Sequence, residues 1–251
     1  DFLQKLHSDA YRVTKEECLD LPAITEEVRT VELTASAAKI YREVEAESYA
    51  KLAESEVTTT NVLTRIMRLS QITGGQLTGD DGIVNVVSYD KLNALSDILV
   101  SAMAEEKKVV IMARFIVELY AIQELLLERK IGYAVVHGGI MDREKQIQRF
   151  QHDDNCRVFV GQIAAAGLGI TLTAASTMFF FSMDYNMSNF EQAKARIHRA
   201  GQKENCHYIY LVCKGTIDGK VLYALQKKVD LAKMLVDDYR NDGNPLKDCN
   251  F

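Results

Sequence analysis

A chain of 251 residues, 47% hydrophobic and 26% charged, can form one large domain or two small ones. Its net charge of −5 is wrong for a protein that coats nucleic acid by charge alone, although a local basic groove stays open. No apolar run nears the ~20 residues that cross a bilayer and no signal peptide opens the sequence, so no membrane-spanning segment is expected in it.

Five cysteines (Cys18, Cys156, Cys206, Cys213, Cys249) are scattered without a C-x-x-C pair, which fits reduced thiols better than disulfides or zinc. Asp1 in place of an initiator methionine points to a piece of a longer protein. Residues 1–34 read as a lead-in segment with a short strand at 28–33. Residues 35–54 are helical in pattern, with Ile40, Tyr41, Val44 and Leu52 as candidate buried positions. A break at 57–60 precedes a second helix over 61–72, which carries Leu63, Ile66, Met67 and Leu69 beside Arg65 and Arg68. The Gly-, Thr- and Asp-rich stretch 73–82 reads as a loop, and the main domain is expected over 83–240.

Within that domain, helical patterns at 88–105, 115–129 and 142–150 alternate with apolar runs at 109–113, 133–136, 158–160, 178–181 and 208–212. Apolar runs without alternation belong to strands buried on both faces, as parallel strands are. The rhythm predicts an α/β domain with a mostly parallel sheet, right-handed crossovers and flanking helices. A last helix is expected over 218–239, and 241–251 reads as a frayed tail.

Ligands in such sheets bind beyond the carboxyl ends of the strands. Those positions hold Arg114, then His137-Gly138-Gly139, then the segment 161–176, in which Gly167 and Gly169 permit close backbone approach and Thr171 and Thr173 offer hydroxyls. Further on lies QAKARIHRAGQ, residues 192–202. Ser188 and Glu191 read as a capping box that starts a helix, and Gly201 as the left-handed cap that ends it. On such a helix Gln192, Arg196 and Arg199 share one face at i, i+4 and i+7, and Ala193, Ile197 and Ala200 share an apolar one. Guanidiniums are planar, always charged and suited to phosphate, so this segment is expected to form half of a nucleotide site. His198 between them is expected to pack or hydrogen-bond rather than catalyse. The pair Asp153-Asp154 reads as a turn, and no metal site is expected.

In order, these segments resemble the second RecA-like lobe of Swi/Snf-type ATPases, a branch of the superfamily II helicases. Residues 12–22 are similar to the basic stretch ending in Leu-Pro that leads out of the first lobe, and 88–92 to the start of the second. Residues 108–115, KVVIMARF, resemble motif IV, 136–139 sit where motif IVa lies, 162–176 look like motif V, and 192–202 resemble motif VI. Residues 214–217 fit the Gly-Thr-Ile turn beyond it. The resemblance implies a P-loop NTPase-like lobe, with 35–82 as a helical protrusion and loop. Two departures stand out. Ala164 replaces an arginine of motif V, and Ala195 replaces the acidic residue that orients the first arginine of motif VI. The alanine-rich motif V is closer to bacterial, phage and annealing-helicase members than to nucleosome remodellers.

No G-x-x-x-x-G-K-[ST] loop and no acidic magnesium box occur in the chain. The resemblance therefore implies a first lobe of the same protein that binds ATP and Mg, with none bound by this lobe alone. Arg196 and Arg199 would act as catalytic fingers, and Gln192, Gly167 and Gly169 would couple to ATP. Arg114, His137, Gly138, Gly139, Thr171 and Thr173 would meet the backbone of duplex DNA. The isolated lobe would hydrolyse almost nothing. No membrane partner is implied, and the place of action would be a bacterial nucleoid or phage-infected cytoplasm, or a nucleus in a eukaryote. The competing reading is a degenerate module that binds DNA or a partner without ATP coupling.

Overall fold

A computed structural model of the chain describes residues 21–54, 59–79, 81–104, 107–232 and 234–235. The order of elements is β1 (Ile24–Val31), α1 (Ala35–Glu54), α2 (Thr59–Thr73), β2 (Gln76–Thr78), β3 (Val84–Val86), α3 (Asp90–Ala104), β4 (Lys108–Ala113), α4 (Ile116–Glu128), β5 (Tyr133–Val136), α5 (Arg143–His152), β6 (Val158–Gln162), a 3-10 turn (Ile163–Leu168), β7 (Ala175–Phe180), α6 (Met187–Lys194), β8 (Cys206–Cys213) and α7 (Ile217–Lys227). Six strands form one sheet in the order β1-β8-β7-β4-β6-β5. Every pairing in it is parallel.

The apolar runs become strands because both sheet faces are covered. In β4, Val110 and Met112 enter one hydrophobic cluster with Phe150 of α5, Phe190 of α6 and Leu222 of α7. Val109 and Ile111 point the other way, into a cluster with Leu95 and Leu99 of α3 and Leu119 and Ile122 of α4. All four β4 residues are fully buried, each worth about 1.5–3 kcal/mol on removal from water. The result is a three-layer α/β/α sandwich of the RecA-like type.

Where the structure departs from the sequence reading, neighbours explain it. The strand expected at 28–33 runs instead from Ile24 to Val31, paired with β8 from Ile24↔Cys206 to Val31↔Cys213. Its charged Glu26, Glu27 and Arg29 hide the strand pattern, as suits a sheet edge. The stretch read as a loop contains β2, which pairs antiparallel with β3 through Gln76↔Val86. That hairpin turns on Asp81, whose carboxylate accepts from the Ile83 amide at 2.9 Å. Met67 is exposed, whereas Val62, which the pattern did not single out, is buried. The helix expected over 218–239 breaks after Lys227, since Lys228 is left-handed with φ 55°, and helical residues resume at 231–232 and 234–235. The predicted basic stretch before Leu21, the Leu52 side chain, positions 57 and 58 of the break, and the tail fall outside the described residues.

One polar cluster fastens the two N-terminal helices to the sheet. Lys91, at the start of α3, is 1% exposed and its Nζ lies 2.5 Å from Asp218 Oδ2. Asp218 Oδ1 accepts from the Thr73 hydroxyl of α2 at 2.8 Å, and Oδ2 also accepts from the Cys213 amide at 3.1 Å. Beside it, the Ile217 amide donates to the Tyr41 hydroxyl of α1 at 2.8 Å. Burial pulls the Lys91 pKa down, but the Asp218 charge and hydrogen bond outweigh it and hold it above its ordinary value. Desolvation likewise pushes the Cys213 thiol up to about 12, so it is a neutral packing group.

Candidate functional site

Parallel strands place all their carboxyl ends at one edge, so Arg114, His137 and Ser182, which follow β4, β5 and β7, share a rim with Gln162, the last residue of β6. Gln162, which the sequence reading passed over within its motif, joins two of these loops. Its Oε1 accepts from the Gly138 amide at 3.3 Å, and its Nε2 donates to the Arg114 carbonyl at 3.4 Å. Arg143 closes the glycine turn by donating to the Ile140 and Gly138 carbonyls, both at 3.0 Å. Gly138 and Gly139 are exposed, but the His137 ring is 7% exposed and points inward. Its Nδ1 accepts from the Gly139 amide at 3.2 Å and its edge meets Tyr120. At this loop the backbone, rather than the imidazole, faces outward.

The Arg114 guanidinium lies over two rings, 4.2 Å from the Tyr185 centroid and 5.0 Å from Phe115. Its Nη1 is buried without a hydrogen-bond partner among the described residues. The Arg114 amide donates to Ser182 Oγ at 2.8 Å, and that hydroxyl donates to Glu118 Oε2 at 2.5 Å. Glu118 is 1% exposed, and desolvation, only partly offset by hydrogen bonds from Ser182 and the Phe115 amide, raises it from 4.5 to about 7. Between those two values the folded chain keeps a proton that the unfolded chain has lost. Stability therefore falls as pH rises from 4.5 to about 7, by up to about 3 kcal/mol from this group. Urea unfolding at pH 5 and pH 8 should show that loss in the wild type and a smaller one in Glu118→Gln. An equal loss in both would assign the dependence elsewhere.

The arginine segment differs from the helix expected. Asn186, not Ser188, caps α6, its Oδ1 accepting from the Asn189 amide at 3.1 Å. The helix ends at Lys194, with Ala195 already at ψ 0°. Two of the next carbonyls are taken by other donors: Arg196 O accepts from the distant Leu172 amide at 2.9 Å, and Ile197 O from the nearby Gln202 Nε2 at 3.2 Å. Ala193 and Ile197 are buried as the apolar face requires, while Ala200 is exposed. Gly201 is left-handed at φ 97°, although it closes a turn rather than a helix. Gln192 and the two arginines therefore do not line one helical face; Gln192 stays on α6 and donates to Ser188 Oγ at 3.1 Å.

Both guanidiniums still converge. Arg196 Nη1 and Arg199 Nη1 donate to the same Ile170 carbonyl, at 3.4 and 3.1 Å. Arg196 is 8% exposed, its Nε has no partner, and desolvation followed by the Arg199 charge lowers its pKa. Among the described residues neither guanidinium pairs with a carboxylate. Ala195, directly before Arg196, supplies no carboxylate. The glycine segment lies alongside: Gly167 is in the 3-10 turn, and Gly169 is left-handed at φ 72° with open space about it. The Thr171 carbonyl accepts from Gln151 Nε2 at 3.0 Å. The Thr173 carbonyl accepts from Gln202 Nε2 at 3.5 Å. Ala164 is exposed.

Gln202 is the fastener between the two segments. Its Nε2 also reaches the Ala175 carbonyl at 2.8 Å, and its Oε1 accepts from the Lys203 and Glu204 amides, both at 2.9 Å. Gln202→Leu should therefore cost about 2–3 kcal/mol, since buried carbonyls and amides lose partners. A shift of less than 0.5 kcal/mol in urea unfolding would show that these groups find other partners. Among the described residues no group of three or more His, Cys, Asp or Glu is placed to hold a metal ion. None of their helices is long and apolar enough to cross a membrane.

Residues 90–201 match the helicase conserved C-terminal domain family. The chain is 34% identical over 148 residues to a DNA repair and recombination protein RAD54-like of Drosophila ananassae, covering 57% of this chain and 19% of that protein. It is 32% identical over 153 residues to the human chromatin-remodeling ATPase INO80, covering 60% and 10%. An uncharacterized ATP-dependent helicase of Mycoplasma genitalium is 28% identical over 212 residues, 83% of this chain and 20% of that one. The chain thus spans about a fifth or less of the length of these relatives. Among solved structures, the Sulfolobus solfataricus SWI2/SNF2 ATPase core in complex with dsDNA aligns with a TM-score of 0.73 at 20% identity, over 100% of this chain and 56% of that one. The separate C-terminal domain of the Sulfolobus ATPase aligns with a TM-score of 0.65 at 20% identity, over 85% and 88%.

Proposed function

Because this chain belongs to the Swi2/Snf2 group of helicase-like ATPases, as a C-terminal RecA-like lobe, we propose that it is the second motor lobe of a DNA-stimulated ATPase that tracks along duplex DNA. The observation that carries the reading is the pair Arg196 and Arg199, gathered on the Ile170 carbonyl with no carboxylate among the described residues to neutralise them. Two like charges held together without a counter-ion favour an anion between them and a facing surface. In this reading the γ-phosphate of ATP, held with Mg on a first lobe of the same protein, supplies that anion when the lobes close. Arg199, the less buried of the two, leaves the Ile170 carbonyl for the transferring phosphoryl group and stabilises its charge as the bond to the leaving phosphate lengthens. Arg196 holds the loop and adds field. Gln192, Gly167 and Gly169 carry the change of nucleotide state into the neighbouring segment.

The opposite function falls to the rest of the rim. The exposed Gly138 and Gly139 backbone, Arg114 once drawn off its two rings, and the Thr171 and Thr173 hydroxyls meet phosphates of the duplex, contacts that position without reading sequence. Opening and closing of the lobes steps this surface along DNA without strand separation. The protein would act wherever duplex DNA is handled, in a nucleoid or a nucleus. Alone, the lobe lacks a phosphate-cradling loop and is expected to turn over almost no ATP.

The test is ATP hydrolysis by the two-lobed protein, with and without duplex DNA, for wild type and Arg199→Ala. DNA stimulation that collapses in the variant while ATP still binds supports the motor. A wild type that binds duplex DNA but hydrolyses no ATP, or a variant that matches an active wild type, replaces it with a binding module uncoupled from ATP.

A further inference from the structure

The arginine loop is tied to the N-terminal strap by a side chain that the proposed mechanism does not use. His198 lies between Arg196 and Arg199 in sequence, and its Nε2 is 3.0 Å from the Pro22 carbonyl, 176 residues away. A carbonyl can only accept, so Nε2 carries the proton and the ring is the donor. The strap leaves the sheet here. The Ala23 amide donates to Asn205 Oδ1 at 3.1 Å, the Cys206 amide donates to the Ala23 carbonyl at 2.8 Å, and β1 begins at Ile24. Pro22 therefore marks the last point at which the strap is fixed to the arginine loop before β1 takes over.

The strand itself is anchored by other means, which makes the histidine dispensable for holding β1. Eight register pairs join β1 to β8. Lys194 pairs with Glu26 while lying over the rings of Phe190 and Tyr208, and His207 Nε2 lies 3.3 Å from Glu27. The His198 hydrogen bond adds little to that attachment. What it adds is a side-chain link from the segment just before β1 to the loop whose two flanking arginines share one carbonyl acceptor.

We propose that His198 is a positioning residue that couples Pro22, two residues before β1, to the arginine loop, so that displacement of Pro22 sets where Arg199 stands. The proposal rests on the motor reading above and on the resemblance of residues 12–22 to the stretch that leads out of a first lobe. With the hydrogen bond in place, displacement of the strap displaces residues 196–199 as a unit about the Leu172 and Gln202 contacts. Without it, the loop keeps its contacts to the neighbouring glycine segment but no longer follows the strap. Nucleotide binding, which depends on the facing lobe, is untouched, and the alignment of Arg199 on closure is lost.

The experiment uses the two-lobed protein and compares wild type, His198→Ala, His198→Gln and Arg199→Ala. Steady-state ATP hydrolysis is measured with saturating duplex DNA, alongside thermal unfolding. The expected result is a fall of about tenfold in kcat for His198→Ala with KM for ATP within twofold of wild type and an unchanged melting temperature. His198→Gln, whose amide can donate to the Pro22 carbonyl, should recover at least half of the lost rate. A His198→Ala rate equal to wild type overturns the proposal, as does a His198→Gln rate no better than alanine, or a loss carried wholly by KM or by unfolding. If Arg199→Ala collapses the rate and His198→Ala does not, the coupling alone fails. If Arg199→Ala is also without effect, the motor reading fails and the coupling falls with it.

Discussion

Replacing Arg199 by alanine in the two-lobed protein should lower DNA-stimulated ATP turnover by about three orders of magnitude, with ATP affinity much less altered. Guanidiniums on a transferring phosphoryl group are worth roughly 10³–10⁵ in rate, because charge builds on its oxygens in the transition state and a fixed cation meets it without reorganisation. Arg199 is the better candidate than Arg196 on burial. Arg196 is 8% exposed, with desolvation already lowering its pKa, so it is committed to the interior of the loop. Arg199 is half-buried and shares its acceptor, so a single 3.1 Å hydrogen bond is what it must give up to reach across. Arg199→Lys should recover little, since a point ammonium cannot reproduce the planar fork. Arg196→Ala should lose both rate and stability. Retention of turnover in Arg199→Ala, with single-turnover hydrolysis also intact, would place the phosphoryl contact elsewhere.

The second large effect is on stability. Lys91→Ala should destabilise the fold by about 3–5 kcal/mol, a large share of the 5–15 kcal/mol that holds a domain together. The reason is the charge left behind. Asp218 keeps the Thr73 hydroxyl and the Cys213 amide but loses the ammonium 2.5 Å away. Lys91→Met with Asp218→Asn should recover part of the loss, because replacing both members of a buried pair costs less than removing one. Urea unfolding checks this, with the slope unchanged if only stability has moved. A loss under 1 kcal/mol for the single variant would mean that water or another cation reaches Asp218. The sign with pH follows from the raised pKa of Lys91: its stabilisation is complete below the unfolded value and fades as pH climbs through the folded one.

How far the sequence reached depended on whether local chemistry or distant partners decided each feature. The apolar runs at 133–136 and 109–113 were legible as strands because both faces of each are apolar, and α4 and α5 because their amphipathic stripes sit between turn signals. β1 was misplaced because charges on an edge strand look like surface. The helix over residues 192–202 was overextended because nothing local forbids it. The Leu172 amide, arriving from the neighbouring segment, and the Gln202 side chain, folding back from the end of the same stretch, take the carbonyls that the next turn would need. The Lys91–Asp218 pair left a single trace, an acidic residue in the first turn of a helix, which ordinarily answers the helix dipole and needs no lysine. Gln162 and Gln202 sat inside recognised motifs, yet their several backbone contacts emerge only when the strands bring the loops side by side.

The position of β1 has a kinetic consequence. Its first pair, Ile24↔Cys206, joins the beginning of the described chain to its far end. At a synthesis rate of about 5–20 residues per second, the strand waits roughly 10–40 s after emerging before β8 exists to receive it. Pairings of such long sequence separation are slow to form, since the loop must close before the contact rewards it. Until then β7, β4, β6 and β5 can assemble without β8 and β1, and the outer edge of β7 stays open to the wrong strand. The charges along β1 give the waiting segment solubility during that interval, and they allow the sheet to be completed last.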